Sequence, residues 1–303
     1  MKKIAIVTVN YNTADETKKL LVSLEKIKKD TISLEVIVVD NGSKERLVLD
    51  PKDFSYQLQL LYSEENTGFT GGYNRGIRQA LVDGAEYLLL INNDTIVDPL
   101  VLTKLLEPFE TDKKIGITVP KIYFARGHEF HKGRYTEKDL GRVFWYAGGA
   151  MDWDHVMSRH RGVDEVDHGQ YDVTEQTGFA TGCCLLVKRE VFKKAGLFAD
   201  NYFLYFEDAD FTQRVKQLDY DILYVPAAII WHSNAGSSGS GGELHDYFLT
   251  RNRMLFGMKY APLRTKIALV RESIRLLNQG RPFQKKGIQD FYLRKFGKGS
   301  FFD

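Results

Sequence analysis

The sequence has 303 residues, of which 43% are hydrophobic and 27% are charged, and its formal net charge is only +2. A chain of this length and apolar content can bury a large core, and the near-neutral charge argues against nucleic acid as a partner. The adjacent cysteines, Cys183 and Cys184, have neither metal-site spacing nor the number needed for a disulfide framework, which is typical of a reducing compartment.

Strands and helices alternate along the first 124 residues. Strands are predicted at KIAIVTVN (3–10), LEVIVVD (34–40), YQLQLLYS (56–63), AEYLLLI (85–91) and IGITVPKIYF (115–124). Helices are expected from the capping-box pattern of Thr13 and Glu16 to about Lys29, over GGYNRGIRQALVDG (71–84), and from Pro99 to about Glu110. This order predicts an α/β fold, with a mostly parallel sheet covered by helices on both faces.

Polar residues stand at the ends of four of these strands. They are Asn10, Tyr11 and Asn12; Asp40, Asn41, Gly42 and Ser43; Glu65 and Asn66; and Asn92, Asn93 and Asp94. Ligands of such sheets bind beyond the carboxyl ends of the strands, so we expect these residues to line one rim.

Two later segments differ in composition from the alternating region. Residues 125–175 are rich in Gly, His, Arg and aromatic residues and have weak periodicity, which predicts loops and short antiparallel strands over the site. The segment GSSGSGGE (236–243) lies between an apolar strand and a helix, and predicts a mobile loop beside the site.

The segment NTGFTGGYNRG (66–76) places four glycines around a helix start. Backbone amides and the helix dipole at such a position can hold an anion. The segment lacks the Gly-Lys-Ser/Thr of a Walker loop and departs from the GxGxxG spacing, so a plain tight turn remains an equal alternative. Asp40 has the same ambiguity, because a strand-end aspartate can bind a base or ribose or can cap a turn.

Asp94 and His232 are the candidate metal ligands. A carboxylate on the rim can hold Mg²⁺ or Mn²⁺, which neutralises the charge of a diphosphate leaving group. His232 ends the apolar strand LYVPAAIIWH (223–232) and offers a second ligand. A lone histidine at a strand end is also commonly a surface or hydrogen-bonded residue, so that alternative stays open.

The acidic residues Glu207, Asp208 and Asp210 lie at the predicted start of a helix. Helical rotation puts Glu207 and Asp208 on or beside the stripe formed by Phe211, Val215 and Leu218, and it turns Asp210 away. An unpaired buried carboxylate is costly, so an inward acid either caps the helix or works as a base or ligand. We select Asp208 as the candidate base.

Seven segments, in this order, resemble the family 2 inverting glycosyltransferases of the GT-A fold, especially the bacterial rhamnosyltransferase-like branch. They are VTVNYN, VVDNGS, NTGFTGGYNRG, LLLINNDT, GFATGCCLLVKREVF, FLYFEDADFTQRVKQLDY and WH, and they span about residues 1–260.

The resemblance implies a GT-A, Rossmann-like catalytic domain over residues 1–245 and a basic helical extension over 246–303. Residues 1–120 would bind the nucleotide sugar, and residues 121–245 would form the acceptor side. The implied enzyme is an inverting hexosyltransferase that moves a sugar, expected to be L-rhamnose from dTDP-rhamnose, to a glycan or lipid-linked glycan. The implied cofactor is a divalent metal, Mg²⁺ or Mn²⁺.

Site residues follow from the same resemblance. Asp208 matches the family's base, Asp94 matches the last acid of its DxD motif, where Asn92 takes the first position, and His232 matches a metal-contacting histidine. Gly182 and Glu207 would lie on the acceptor side. The donor would contact Val9, Asn10, Tyr11, Asp40, Asn66, Gly72, Asn74, Asn92 and Asn93.

Two other functions stay open. A sugar-nucleotidyltransferase shares the sheet, but normally opens with a glycine-rich basic loop that VTVNYNTADETKK does not contain. A noncatalytic glycan- or nucleotide-binding module would need neither a metal nor Asp208.

The C-terminal region is strongly basic: residues 251–303 hold 13 Lys/Arg against 3 Asp/Glu, a net charge of +10. Its apolar residues recur at helical spacing, which predicts an amphipathic surface helix attracted to anionic lipid. The alternatives are a helix packed on the catalytic domain and a homodimer contact. The apolar residues of this predicted helix are Ile267, Val270, Ile274 and Leu277, and the basic residues among them are Arg264, Lys266, Arg271 and Arg275.

Without a signal peptide or an apolar span, we expect a cytoplasmic protein, peripheral on the inner face of the cell membrane.

Overall fold

The computed structural model describes residues 1–28, 32–131, 133–233 and 242–303. The strands are β1 (Lys2–Asn10), β2 (Ile32–Asn41), β3 (Gln57–Ser63), β4 (Tyr87–Ile91), β5 (Thr95–Val97), β6 (Ile115–Phe124), β7 (Phe144–Tyr146), β8 (Gly149–Asp152), β9 (Met157–His160), β10 (Glu175–Gln176), β11 (Cys184–Lys188) and β12 (Asp221–His232). The helices are α1 (Ala14–Leu24), α2 (Gly68–Val82), α3 (Val101–Leu106), α4 (Pro108–Thr111), α5 (Arg189–Ala195), α6 (Glu207–Gln217), α7 (Glu243–Tyr260), α8 (Leu263–Gln279) and α9 (Pro282–Tyr292).

One large sheet organises the described part of the chain. Its main path runs β10-β12-β6-β11-β4-β1-β2-β3, with β5 paired to β12 and β7 to β6. Strands β1 to β4 are mutually parallel where they pair, β12 is parallel to β6, and β11 is antiparallel to both of its neighbours. The predicted mixed, mostly parallel sheet flanked by helices is therefore confirmed.

The register places the polar strand ends on one edge of the sheet. Asn10 at the end of β1 pairs with Asp40, and Asn41 at the end of β2 pairs with Ser63. Strand β12 has the same direction as β6 and ends at His232, which pairs with Thr95 of β5. Polar groups far apart in the sequence thus meet at this edge, because parallel strands share their carboxyl ends.

Strand β11 was not assigned from the sequence. The apolar run of Cys184–Lys188 is only five residues long, and periodicity does not tell such a run from a buried helix turn. In the structure it lies in the middle of the sheet, where it pairs with β4 over all five residues. It carries the preceding residues, Gly182 and Cys183, to the edge that bears the polar strand ends.

The described part of residues 125–175 forms short strands and loops, as predicted. Strands β8 and β9 pair antiparallel in a separate hairpin, and β7 adds to the edge of β6. The Trp145 ring of β7 packs edge-on against His232, with 4.7 Å between ring centroids. The predicted loop at 236–243 lies outside the described residues, except for Gly242 and Glu243.

The expected helix boundaries were wrong in two places. Helix α1 ends at Leu24, before the predicted Lys29, which lies outside the described residues. The helix expected between Pro99 and Glu110 is divided at Pro108, because proline cannot donate the backbone hydrogen bond that would continue it.

The predicted capping box at the start of α1 is also absent. Thr13 makes no side-chain cap bond. Its hydroxyl instead accepts a hydrogen bond of 2.7 Å from the Asn93 side-chain amide, and Glu16 pairs with Lys19. The hydrogen bond with Asn93, 80 positions away in the sequence, thus takes the place of the predicted local capping bonds between Thr13 and Glu16.

Helix α6 begins at Glu207 as expected, but the prediction for Asp210 was wrong. Its side chain is completely buried and pairs with Arg214 Nε at 2.7 Å and Lys259 Nζ at 2.8 Å. The second partner comes from α7, which helical rotation of α6 alone does not reveal. Leu218, expected inside, is 41% exposed because α6 ends at Gln217.

The basic C-terminal extension is helical, as predicted, and consists of α7, α8 and α9. The proposed boundary after residue 245 falls in the first turn of α7. This helix is anchored to the rest of the protein by Arg251, whose fully buried guanidinium donates to the carbonyl of Tyr202 at 3.1 Å. In the described part of the chain, no helix is both long and apolar enough to cross a membrane.

Candidate active site

A cleft of about 270 Å³ opens at the polar edge of the sheet. Its walls come from the ends of β1, β2 and β4, from the starts of α1 and α2, from the segment that precedes α6, and from the first turn of α7. The lining residues are Val9, Tyr11, Thr13, Glu16, Asn41, Asn66, Gly68, Phe69, Tyr73, Asn92, Asn93, Asp94, Phe203, Leu204 and Leu244.

Asp94 and His232 lie side by side at one end of this cleft. His232 Nε2 is 3.1 Å from Asp94 Oδ1, and both side chains are largely buried. Strand β5 creates this proximity, because Thr95 pairs with His232 and the Ser233 amide donates to the Asp94 carbonyl at 2.9 Å. The two predicted metal ligands are thus neighbours, although 138 positions separate them in the sequence.

The donor atoms of this pair fit a divalent cation. Carboxylate oxygen and imidazole nitrogen suit Mn²⁺, and the oxygen also suits Mg²⁺. His232 Nδ1 is buried without a hydrogen-bond partner among the described residues. No group of three His, Cys, Asp or Glu side chains placed to hold a metal occurs in the ranges that the structure describes. The Asp94 and His232 side chains by themselves would fill only part of the coordination of a divalent cation.

The charge state of His232 depends on its neighbours. Burial lowers the pKa of the imidazole, but the Cys183 and Asp94 side chains outweigh burial and raise this pKa to about 10. A cation that binds His232 must therefore displace a proton.

Asn92 and Asn93 are held rigidly at the rim. Asn92 Oδ1 accepts from the Tyr73 hydroxyl at 3.2 Å, and the Asn92 amide donates to the Cys183 carbonyl at 2.8 Å. Asn93 Nδ2 donates to the hydroxyls of Thr13 and Thr17 at 2.7 and 2.8 Å. These bonds connect the end of β4 to α1, α2 and β11, and so fix the position of the adjacent Asp94.

Four of the predicted donor residues do not line the cleft. Asn10 and Asp40 are buried behind it, where Asp40 Oδ2 accepts from the Leu47 amide at 2.7 Å and Asn10 Nδ2 donates to Ser43 Oγ at 3.1 Å. These bonds hold the loop that follows β2. Turn capping, the alternative considered for Asp40, accounts for its position.

Gly72 and Asn74 also face away from the cleft. A Cβ at Gly72 would lie 2.8 Å from Val9 Cγ1, so this glycine permits close packing of α2 on β1. Asn74 Nδ2 donates to the Phe198 carbonyl at 2.9 Å and to Asp200 Oδ1 at 2.8 Å. Both residues support the wall from behind, whereas Val9, Tyr11 and Asn66 form part of its surface.

The start of α2 offers fewer free amides than its glycines suggest. The Gly68 amide donates to Asn66 Oδ1 at 2.8 Å, and the Thr70 amide donates to the Phe203 carbonyl at 3.3 Å. Asn41 braces the same turn, because its side-chain amide donates to the Gly68 carbonyl at 2.9 Å. The tight-turn interpretation therefore explains much of this segment.

Asp208 lies beside the cleft in the first turn of α6. Its Oδ2 accepts from the Gly182 amide at 2.9 Å, and its Oδ1 accepts from the Ala209 amide at 2.7 Å. Burial raises the pKa of Asp208 to about 6, although these two amides oppose the shift. A carboxylate with this pKa is suited to general base catalysis near neutral pH.

Glu207 is the second buried acid of this turn. Its Oε2 has no hydrogen-bond partner among the described residues. Burial, and then the charge of Asp208, raise the pKa of Glu207 well above its usual range. The direction of this shift favours ionisation of Asp208 before Glu207.

Gly182 and Cys183 connect the two ends of the site. Gly182 donates to Asp208, and a Cβ added to it would lie 3.1 Å from the Phe69 ring that lines the cleft. The next residue, Cys183, contacts His232. The predicted base and the predicted metal ligands thus flank one short segment before β11.

The segment leading into α6 has an unusual backbone. Phe203, Tyr205 and Phe206 have φ angles of 65°, 69° and 71°. Left-handed backbone costs about 1–2 kcal/mol for each residue other than glycine. This conformation places Phe203 and Leu204 in the cleft wall.

Asn252 of α7 holds that segment in place, and sequence analysis did not identify it. Its buried Nδ2 shares its hydrogens among three carbonyls, at 2.9, 2.7 and 2.9 Å, which belong to Tyr202, Leu204 and Tyr205. The only sequence signal was the pair Arg251 and Asn252 on an otherwise apolar part of the helix face.

Residues 5–196 match the sequence profile of the family described as Glycosyl transferase family 2, which covers more than half of the chain. The chain belongs to glycosyl transferase family 2. The family predicted from the seven segments is therefore confirmed.

Relatives with similar sequences are named for different sugars. An N-acetylglucosaminyl-diphospho-decaprenol L-rhamnosyltransferase of Mycobacterium tuberculosis is 38% identical over 68 residues, which are 22% of each chain. Galactofuranosyltransferase GlfT2 of the same organism is 24% identical over 71% of this chain and 34% of its own length. The low-salt glycan biosynthesis hexosyltransferase Agl10 of Haloferax volcanii is 24% identical over 72% of this chain and 63% of its own. The matches thus span less than two thirds of each relative.

Solved structures similar to this family 2 chain share its fold. A crystal structure of GalNAc-T7 with UDP, GalNAc and Mn²⁺ has a TM-score of 0.61 at 15% identity, over 96% of this chain and 58% of that one. The mannosyltransferase PcManGT from Pyrobaculum calidifontis, in complex with GDP-Man and Mn²⁺, has a TM-score of 0.52 at 14% identity, over 96% and 74%. At such low identity the likeness shows the GT-A fold alone.

Proposed function

We propose that this protein is an inverting glycosyltransferase that moves a hexose from a nucleotide-diphosphate donor to a hydroxyl of a glycan acceptor. The observation that carries the proposal is the placement of Asp208 and the Asp94–His232 pair around one cleft, on either side of Gly182 and Cys183. Membership of glycosyl transferase family 2 supports it. A noncatalytic module would need neither an ionisable acid nor a candidate cation site, and a nucleotidyltransferase normally opens with a glycine-rich basic loop that VTVNYNTADETKK does not contain.

The donor nucleotide would lie against Val9, Tyr11 and Asn66, and its sugar would lie toward Asn92 and Asn93. All five residues line the cleft. Asn10, Asp40, Gly72 and Asn74 would act indirectly, by supporting this wall. We propose L-rhamnose from dTDP-rhamnose as the transferred sugar, on the basis of the short match to the rhamnosyltransferase.

Asp94 and His232 would hold a divalent cation, Mn²⁺ or Mg²⁺. When bound, such a cation neutralises charge on the departing diphosphate. The Mn²⁺ present in the GalNAc-T7 and PcManGT structures supports its use here. The chain's own contribution is to fix Asp94 through the bonded asparagines before it and through the pairing of β5 with β12.

Asp208 would take the proton of the acceptor hydroxyl. The acceptor oxygen then bonds to the anomeric carbon while the bond to the diphosphate breaks, which inverts that carbon in a single displacement. The Gly182 and Ala209 amides hold the carboxylate in position. Glu207, whose pKa is raised by burial and by the charge of Asp208, would bound the acceptor side together with Gly182.

The acceptor is proposed to be a glycan, in the first place one linked to a lipid. The rhamnosyltransferase relative has a lipid-linked diphospho-sugar in its name, and this supports the class of acceptor. Such an acceptor is embedded in a membrane, so we also propose that the enzyme works at the inner face of the cell membrane through its basic extension.

The decisive experiment compares donor binding with sugar transfer. The purified protein is titrated with dTDP- and UDP-sugars with and without Mn²⁺, and transfer to a soluble glycan acceptor is then measured for the wild type and Asp208→Asn. We expect the variant to bind the donor like the wild type and to transfer no sugar. Release of pyrophosphate from a nucleoside triphosphate and a sugar phosphate would favour a nucleotidyltransferase. Donor binding without any transfer by the wild type would favour a binding module.

A further inference from the structure

Helix α8 carries an apolar stripe that faces solvent. Leu263, Ile267, Val270 and Ile274 are 74%, 46%, 36% and 55% exposed. Their spacings of four, three and four residues place them on one face of the helix along three turns. Isolated exposed aliphatic residues are common on protein surfaces, but four in a continuous row indicate a contact surface.

This stripe is separate from the face by which α8 packs on the protein. Thr265, Leu269 and Ser273 are buried. A Cβ on Gly257 of α7 would collide with the Leu269 side chain, and Ser273 Oγ lies 2.7 Å from the Tyr292 hydroxyl near the end of α9. Core packing therefore already uses the opposite side of the helix and leaves the stripe without a partner in the described chain.

Cations border the stripe. Arg264, Lys266 and Arg271 form no ion pair with any residue that the structure describes. Arg275 is 4.0 Å from Glu272, whose carboxylate is already paired with Arg253 at 2.9 Å. Arg264, Arg271 and Arg275 are exposed. The stripe thus lies within a strongly positive surface.

We propose that α8 is a membrane-docking helix that lies flat on an anionic lipid surface, with Leu263, Ile267, Val270 and Ile274 inserted between headgroups. The bordering cations contact lipid phosphates, as on other amphipathic interfacial helices. A second copy of this chain fits less well, because two such faces would bring like charges together. This proposal adds the docking face to the proposed function, but lipid binding by α8 does not itself require sugar transfer.

The test is flotation of the full chain with vesicles of phosphatidylcholine alone or with 30 mol% phosphatidylglycerol, a chosen composition of about one third anionic lipid. We expect binding to the anionic vesicles only. The double variant Ile267→Asp plus Ile274→Asp should bind at least about tenfold more weakly, because two charged groups cannot enter the headgroup boundary. The matched control is Val22→Asp plus Val82→Asp, two exposed valines on α1 and α2, which should bind like the wild type.

A second variant tests the electrostatic part. Each cation near an anionic surface contributes about 1 kcal/mol, so Arg264→Gln plus Arg271→Gln should weaken binding about 30-fold. Raising the salt concentration should have the same effect on the wild type. Equal flotation of the wild type and both α8 variants would overturn the proposal.

Two readouts separate membrane docking from dimerisation and from catalysis. Light scattering after gel filtration should give the same mass for the wild type and the Ile267→Asp plus Ile274→Asp variant. A dimer that this variant dissociates, with vesicle binding unchanged, would overturn the proposal in favour of a dimer contact.

Transfer to a soluble acceptor should be equal in both proteins, so loss of vesicle binding with normal transfer confirms docking as a separate property. If no transfer occurs in the wild type while flotation behaves as expected, the proposed function fails and the docking helix stands.

Discussion

Asn252 on α7 donates a hydrogen bond of 2.7 Å to the backbone carbonyl of Leu204, which lines the cleft. The same side-chain amide donates hydrogen bonds to the carbonyls of Tyr202 and Tyr205. The C-terminal extension thereby holds the left-handed backbone that leads into Glu207 and Asp208. The extension therefore supports one wall of the cleft, although it lies beyond the residues matched by the family.

Replacing Asn252 should therefore damage both stability and catalysis. Asn252→Leu keeps the branching and the number of side-chain heavy atoms but leaves buried carbonyls without donors, and we expect a loss of about 2–3 kcal/mol of unfolding free energy. The value of kcat for the folded enzyme should fall more than KM for the donor rises, because Asp208 shifts. Urea unfolding and steady-state kinetics measure the two effects. Asn278→Leu, at an exposed position near the end of α8, is the control and should change neither.

Asp208→Asn should abolish sugar transfer and leave the protein folded. Loss of a general base typically lowers the rate by about 10²–10⁴-fold. The carboxamide oxygen can still accept from one of the two backbone amides, of Gly182 and Ala209, but its NH₂ group cannot accept from the other, so the melting temperature should fall slightly while the protein stays folded. Asp219→Asn changes an exposed acid just past the same helix and should retain full activity. Wild-type rates in the Asp208 variant would exclude this residue as the base.

Replacing Asp210, two residues after Asp208, should lower the stability of the protein, whereas replacing Asp208 should lower its activity. Its buried carboxylate pairs with Arg214 and Lys259, so Asp210→Ala leaves two cations without their partner and should cost about 3 kcal/mol of unfolding free energy. Chemical denaturation measures this loss. Glu107→Ala, which removes an exposed ion pair with Lys104, should cost less than about 1 kcal/mol. Comparable stability of the two alanine variants would contradict the structural role of Asp210.

The pH dependence of transfer should report the ionisation of Asp208. Burial raises its pKa to about 6, and only the ionised form accepts a proton, so kcat/KM should rise with pH and reach half its plateau near pH 6. Below that pH the base carries a proton and the rate should fall about tenfold per pH unit. A profile between pH 4.5 and 8.5 at constant ionic strength measures the midpoint. A half-plateau near pH 4, the range of an ordinary aspartate, would contradict the assignment.

Cation binding should depend on Asp94 and His232 together. His232→Ala should raise the Mn²⁺ concentration required for half-saturation by at least about tenfold, in the presence of a nucleoside diphosphate. Electron paramagnetic resonance of free Mn²⁺ measures binding directly, and the metal requirement of transfer gives a second readout. His168→Ala replaces an exposed histidine and should have no effect. Unchanged Mn²⁺ binding by the His232 variant would remove this residue from the site.

The sequence by itself determined which segments of the first half form strands, and it placed a polar rim where those strands end. The runs around Ile6, Val38 and Leu89 are apolar throughout because their strands are covered on both sides, and polar residues follow where the strands leave the core. Parallel strands share their carboxyl ends, so Asp94 and His232 could be assigned to the same edge before any coordinates. A local sequence pattern is enough to predict the structure wherever burial alone determines the residue type at each position.

Only the tertiary structure decided which polar groups face the cleft and which support it from behind. Asp40 and Asn74 have the same residue types as the lining residues, and their bonds to Leu47 and Phe198 become visible only in the folded chain. Asp210 is buried because Lys259, 49 residues later, reaches it. Periodicity within one element shows which face is inward, but the partner of a buried polar group is set by packing between distant elements.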